Sequence, residues 1–188
     1  LIHVDPTVDI NVAKGDVIDI HVVVRRTVEL IKHVEDFRAA NNLPEISYEV
    51  GTEEVHGGLA DETTFDTFLT ELKSGLAEVG LAHVWPCFIV GKVGTDLDTA
   101  IFDPEVARNL TSKVRPHGSG IKGHYTDGVS NPEEYPLSGM GAANVGPEFT
   151  ISEYEALKEL DALERRFEAE GKVAVLSNMA AALERLVY

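Results

Sequence analysis

The chain has 188 residues, 44% of them hydrophobic and 26% charged, which is the make-up of an ordinary globular protein. Its 32 acidic against 16 basic residues give a net charge of -16, which argues against nucleic acid as a partner, because phosphate-backbone binding needs a dense Lys/Arg surface. No apolar run reaches the ~18 residues of a membrane-spanning helix, and the single cysteine, Cys87, rules out an internal disulfide framework and points to a cytoplasmic protein.

An acidic surface still admits a small phosphorylated ligand, since a few backbone N–H groups and one Lys or Arg suffice locally. About 70% of the unfolded surface of a chain this long can be buried, enough for a substantial core. The start at Leu1, inside an apolar stretch and without Met, suggests a piece of a longer protein.

In chain order, β-type and helix-type segments alternate. "LIHVDPTVD" (1–9) opens as a short strand and breaks at Pro6. From residue 16 to 40 the apolar spacing turns helical, with Val24, Val28, Ile31 and Val34 or Glu35 at steps of three and four, and Pro44 forbids continuation. "ISYEVGT" (46–52) reads as the second strand. Phe65, Phe68, Leu69, Leu72, Leu76 and Val79 then share one face of a helix, with an acid at its start (Asp61 or Asp66) and Gly80 after its end.

"AHVWPCFIVGKVG" (82–94) has the apolar density of a buried parallel strand. Asp103-Pro104 is a compact helix start, and that helix is expected to end near Ser112. "KVRPHGSG" is expected to open a fourth strand-to-loop unit, followed by a long irregular loop over 121–138. A fifth strand is expected within 139–150. Ser152-x-x-Glu155 then caps a helix that buries Leu157, Leu160, Leu163 and Phe167, and a last helix follows over 172–187. This alternation predicts an α/β fold with a parallel sheet and right-handed crossovers, either an open doubly wound sheet or a (β/α)8 barrel. Five strands are too few for a complete barrel of about 250 residues, so a barrel would be present as its second half. Residues 1–188 read as a single α/β domain.

Polar and glycine residues gather at the predicted C-terminal ends of the strands, where parallel α/β folds bind ligands. They are Gly51 to Glu54 with Gly57-Gly58, Gly91 to Asp96, His117 to Gly120, and Gly141 to Glu148. Gly118, Gly120 and Gly123 spell G-x-G-x-x-G, but "HYTDGVSNPEEYP" follows with two prolines and no helical period, so a dinucleotide loop is rejected.

His117, beside glycines that let a ligand approach, can offer a neutral imidazole to a divalent ion or hydrogen-bond a neighbouring backbone group. Glu53 or Glu54 could share that ion, or form a solvated acidic turn. His124 and Asp127 form either a mobile acid/base pair closing over substrate or ordinary loop polarity. Lys92, at the end of an apolar strand, reaches a partner, a ligand or solvent, and a Schiff-base aldolase would use such a lysine. His3, His56 and His83 read as weaker candidates, with core or capping roles for His3 and His83.

Taken in order, "ISYEVGTEEVHGG", "CFIVGKVGT", "VRPHGSG" and "GAANVGPEFT" resemble class II (metal-dependent) ketose-bisphosphate aldolases, especially the tagatose-bisphosphate aldolase branch with its non-catalytic subunit. The resemblance implies a TIM barrel, of which this chain is the second half, and a divalent metal ion, zinc by preference. It implies His117 as a metal-ligand histidine and Glu53 as the metal-neighbouring glutamate, with Glu49 as an alternative. It also implies a substrate-phosphate site made by Gly118, Ser119 and Gly120 and completed by Gly141 to Asn144, with Lys92 nearby. The sequence departs from the family's pattern at Asp96 and Leu97, where a second metal histidine is expected after Gly-Thr.

The resemblance leads to metal-dependent cleavage of a phosphorylated ketose through an enediolate, for which His124 and Asp127 are taken as the catalytic acid/base pair from their place in the long loop. Two alternatives stay open: epimerisation of a keto-sugar or uronate on the same barrel, and a non-catalytic subunit that stabilises an aldolase chain. The expected partners are a small phosphorylated sugar and either further copies of the chain or a related aldolase subunit, with no membrane.

Overall fold

The computed structural model describes residues 1–11, 13, 18–51, 61–95 and 101–187, with residue 187 described by its backbone alone. The chain divides into two compact units, Leu1–Asn144 and Val145–Tyr188. In the first unit, five short strands are β1 (Ile2–Val4), β2 (Tyr48–Val50), β3 (Phe88–Val90), β4 (Gly120–Gly123) and β5 (Ala142–Ala143). They alternate with helices α1 (Ile20–Ala40), α2 (Glu62–Glu78), α3 (Pro104–Val114) and the single turn α4 (Glu134–Leu137). The second unit holds α5 (Pro147–Ala169) and α6 (Met179–Val187). No helix among the described residues is long and apolar enough to cross a membrane.

The strands form one parallel sheet in the sequential order β1-β2-β3-β4-β5. With right-handed crossovers, that order puts each connecting helix on the same face. The packing agrees: Val4, Tyr48, Val50, Ile89 and Ile121 form one core cluster with the buried stripes of α1, α2 and α3. Side chains alternate across a strand, so His3, Glu49 and Lys122 belong to the opposite face. The α/β alternation and the parallel sheet stand as the sequence predicts.

Helix starts are locally encoded. Asp61 accepts the Thr64 N–H at 2.8 Å ahead of α2, and Asp103 accepts the N–H groups of Glu105 and Val106 ahead of Pro104 in α3. Several boundaries differ from the sequence reading. Helix α3 runs on to Val114 because Ala107, Leu110, Thr111 and Val114 continue one buried stripe past Ser112. Arg115–His117 then make a 3-10 turn, ended by Gly118 in the left-handed region at φ 85°. The fourth strand therefore starts at Gly120 and runs to Gly123, into the stretch expected to be irregular. Its two terminal glycines hide the alternation that marks a strand. Helix α5 starts at Pro147 rather than at Ser152, since proline suits a first helical turn, and α6 starts at Met179 rather than at residue 172.

A buried carboxylate ties α1 to β2. Glu35 accepts hydrogen bonds from the Arg38 guanidinium (Nη2 at 2.7 Å, Nε at 3.1 Å) and from the Tyr48 hydroxyl at 2.7 Å. The Arg38 fork, helped by Tyr48 and opposed by burial, holds the Glu35 carboxyl below the usual glutamate range. A depressed carboxyl stabilises the fold fully above its unfolded pKa of roughly 4.3, and that contribution is lost as pH falls through the lower folded value. Glu35→Gln should therefore cost about 1–3 kcal/mol near neutrality. In urea unfolding from pH 7 to pH 3, the gap between wild type and variant should close on acidification. A gap of constant size would count against this role for Glu35.

Candidate functional site

The sheet face away from the helices, termed the inner face, carries polar side chains beside Phe88 and Val90 of β3. Parallel register sets His3 of β1 beside Glu49 of β2, and Glu49 beside Phe88 of β3. On β4, Lys122 stands two residues beyond Gly120, the register partner of Phe88, and His124 follows the strand. Alternation thus aims His3, Glu49, Lys122 and His124 into one region.

Glu49 is the centre of that region, with only 2% of its side chain exposed. Its Oε1 lies 2.7 Å from His3 Nδ1 and 3.1 Å from His124 Nε2, and its Oε2 accepts from Lys122 Nζ at 2.7 Å. The two imidazoles lie 5.3 Å apart between ring centroids. Burial pushes the Glu49 carboxyl up, but hydrogen bonds from Lys122 and His124, with the charges of Lys122 and His3, outweigh it and hold the carboxyl below its ordinary value.

The two histidines are driven in opposite directions. Hydrogen bonding to Asp5, with the charges of Glu49 and Asp5, raises His3 against the effect of burial. Burial lowers His124 more than Glu49 raises it, and the positive charges of His3 and Lys122 add to the lowering. His3 is thus the member of the pair biased toward the imidazolium, and His124 the one biased toward the neutral ring.

A further ring of contacts holds these groups in place. Asp5 Oδ2 is 3.6 Å from His3 Nε2, while Asp5 Oδ1 accepts from the N–H and hydroxyl of Thr7 in a tight local turn. Position 51 is glycine because a Cβ there would lie 2.6 Å from Asp5 Cγ. The carbonyl of His124 accepts from the Thr95 hydroxyl at 2.7 Å, and the next residue, Tyr125, takes φ 54°. A non-glycine residue in that region costs about 1–3 kcal/mol and persists only where its surroundings fix it.

His3, Glu49 and His124 each offer one ligand atom, and the three atoms lie within 4.8 Å of one another. Two imidazoles and a carboxylate are a donor set that suits zinc and neighbouring transition metals. The local charge also fits: the Glu49 carboxyl is held below its ordinary value, and burial biases His124 toward the neutral ring. Lys122 is the competing cation, bound to the other carboxylate oxygen.

The residues predicted from sequence are distributed unevenly about this group. His124 lies within it, at the C-terminal end of β4. Asp127 is half-buried in the turn three residues on, and Lys92 follows β3 at the same end of the sheet. Asn144 stands after β5 at that end, its N–H donating to the Gly123 carbonyl at 3.1 Å and its carbonyl accepting from Thr126.

His117, Gly118 and Ser119 precede β4 and so stand at its opposite, N-terminal end. The reason is the helical extension through Val114 and the 3-10 turn, which use up the residues expected to form the strand. The His117 ring lies 5.4 Å from that of Trp85. Ser119 is buried, donates to the Pro86 carbonyl at 2.6 Å and accepts from the Trp85 indole at 2.7 Å. Gly120 and Gly141 give room to the Phe88 ring, which a Cβ on either would approach to 3.3 or 2.9 Å. Glu53, Glu54, His56, Asp96 and Leu97 lie outside the described residues. Sequence reasoning gave Glu49 only as an alternative, treated His3 as a core or capping group, and passed over Lys122. The available signal was parity, since His3 and Glu49 are the polar middle residues of otherwise apolar three-residue strands.

No protein-family model matches the chain, and no curated protein matches it. Among solved structures, the chain is similar to the YdjI aldolase from Escherichia coli K12, with a TM-score of 0.52 and 16% sequence identity. The match covers 84% of this chain and 47% of that one, so the chain spans about half the length of the aldolase. At that identity the likeness is one of fold, and the chain shares an α/β fold with parallel strands with part of an aldolase.

Proposed function

We propose that the chain is the second half of a (β/α)8 barrel of the metal-dependent aldolase type, cytoplasmic, acting on a phosphorylated ketose of the tagatose- or fructose-bisphosphate kind. We take residues 1–188 as part of one barrel domain. The observation that carries this reading is the buried Glu49 carboxylate with two imidazoles in ligand range, on the sheet face that a barrel would enclose. The sequential parallel order and the fold likeness to an aldolase support it.

His3, Glu49 and His124 would hold the ion, zinc by preference. When bound, such an ion polarises a ketose carbonyl and stabilises enediolate charge. His3 would turn Nδ1 to the ion while Nε2 faces Asp5, the pairing that fixes a ligating imidazole. Lys122 orients Glu49 through Oε2 and sets a positive charge beside the reacting region. Lys92, Asn144 and Asp127 stand at the sheet end where the phosphate and the proton-transfer groups belong in this reading. His117, at the other end of β4, is left out of the ion site.

The second reading is a non-catalytic stabilising subunit. It is favoured by a specific feature: both Glu49 oxygens are already engaged by cationic or hydrogen-bonding partners, so the cluster is satisfied without an ion.

Equilibrium dialysis with zinc separates the two. The aldolase reading predicts one tight equivalent, lost in His124→Ala and Glu49→Gln, with cleavage of tagatose- or fructose-bisphosphate abolished by chelator. Asp5→Asn should weaken zinc about 10–100-fold, as loss of a supporting carboxylate does. No zinc binding, with Lys122→Met destabilising by about 3–5 kcal/mol through an unpaired buried carboxylate, would favour the subunit reading. Zinc affinity should also fall as pH drops through the raised His3 value, because His3 must lose its proton to bind, whereas His124 is neutral already. An affinity flat from pH 8 to pH 6 would contradict the role given to His3.

A further inference from the structure

A cleft of about 700 Å³ lies between α3, the 3-10 turn and the end of α4, and shares no residue with the inner-face cluster. Arg108 and Arg115, seven residues apart in the chain, line it together with Thr111, Ser112 and Ser138. Thr111 is 6% exposed and Ser138 3% exposed, and neither hydroxyl has a hydrogen-bond partner among the described residues. Native proteins rarely leave two buried hydroxyls beside one cleft unpaired, because each such group costs about 1–3 kcal/mol.

The charge in this cleft opposes the balance of the chain, which is -16 overall. Among the described residues, Glu134 is the one carboxylate within ion-pair distance of either guanidinium, and it lies 3.8 Å from Arg108. Arg115 makes no ion pair there. Its Nη2 is so near Gly139 that a Cβ at that position would lie 3.1 Å away, which sets the guanidinium on the wall that carries Ser138. Ser112 gives its hydroxyl proton to the Asn109 carbonyl at 2.7 Å and so is not counted among the anion donors. Pro116 and Pro136 supply apolar surface at the rim.

The geometry points to an anion site in this cleft for a phosphate group, either free phosphate or the phosphate of a small monoester. Arg115 and Arg108 would bind its oxygens through their planar forks, and the Thr111 and Ser138 hydroxyls would donate to the same oxygens. The site is independent of the metal-ion reading, because it sits on other elements and uses none of the same side chains.

Calorimetric titration of the full chain with inorganic phosphate at low ionic strength tests it. One saturable site is expected, weakened about tenfold or more by Arg115→Gln, as loss of a charge-assisted pair does, and unchanged by His124→Ala. Ser138→Ala should weaken phosphate while leaving the stability of the free protein level or higher, since the hydroxyl it removes is unpaired. A parallel titration with glycerol 1-phosphate identifies the source: tighter binding than inorganic phosphate indicates a monoester, and equal or weaker binding indicates the free ion. No saturable binding by the wild type would overturn the proposal. So would wild-type affinity in Arg115→Gln, or a site lost with His124→Ala but kept in Arg115→Gln. A Ser138→Ala chain that is destabilised and binds phosphate normally would show the hydroxyl to be structural and would remove it from the site.

Discussion

The buried carboxylate of Glu49 is the constraint around which the inner face is arranged. An ionised carboxylate out of water needs compensating partners on both oxygens, or it takes up a proton. Here Lys122 reaches across from β4 to one oxygen, and His3 and His124 converge on the other. Those contacts join β1, β2 and β4 through side chains, independently of the backbone ladder.

The same carboxylate sets the proton states of its neighbours. His3, held between Glu49 and Asp5, is biased toward the imidazolium, while burial and two nearby cations bias His124 toward the neutral ring. A site with one proton-loaded and one proton-free imidazole on a common carboxylate can either exchange the proton for a metal ion or remain a closed ion cluster. Which occurs depends on whether a divalent ion is worth more to Glu49 and His124 than the His3 proton. Asp5 enters that balance directly, and Gly51 permits it by leaving room for the Asp5 side chain.

Much of the architecture is legible in the sequence, because helices with one strong apolar stripe announce themselves. The Phe65-to-Leu76 face of α2 and the Asp61 and Asp103 caps are local signals, and each is found where its spacing places it. Strands of three residues carry far less information. In β4, glycine occupies two of four positions and hides the alternation, while a helix expected to end near Ser112 leaves the residues just before β4 to be read as the strand. The earlier strand would put His117 at its C-terminal end, whereas the residue stands at the N-terminal end of β4. The same displacement left His124 looking like a loop residue when it directly follows a strand. The site was harder to read than the fold for a related reason. Glycine-rich loops attract attention as ligand cradles, whereas Glu49 and His3 are single polar residues in apolar strands, and only the register of β1 on β2 shows that they meet.

X-ray absorption at the zinc edge of the zinc-loaded chain tests the role of Glu49 and its two histidines most directly. The expected spectrum shows nitrogen and oxygen ligands at about 2.0–2.2 Å with the outer-shell scattering of two imidazoles, one of which disappears in His124→Ala. A spectrum without imidazole scattering, or one identical in wild type and His124→Ala, would contradict the assignment of this cluster as an ion site.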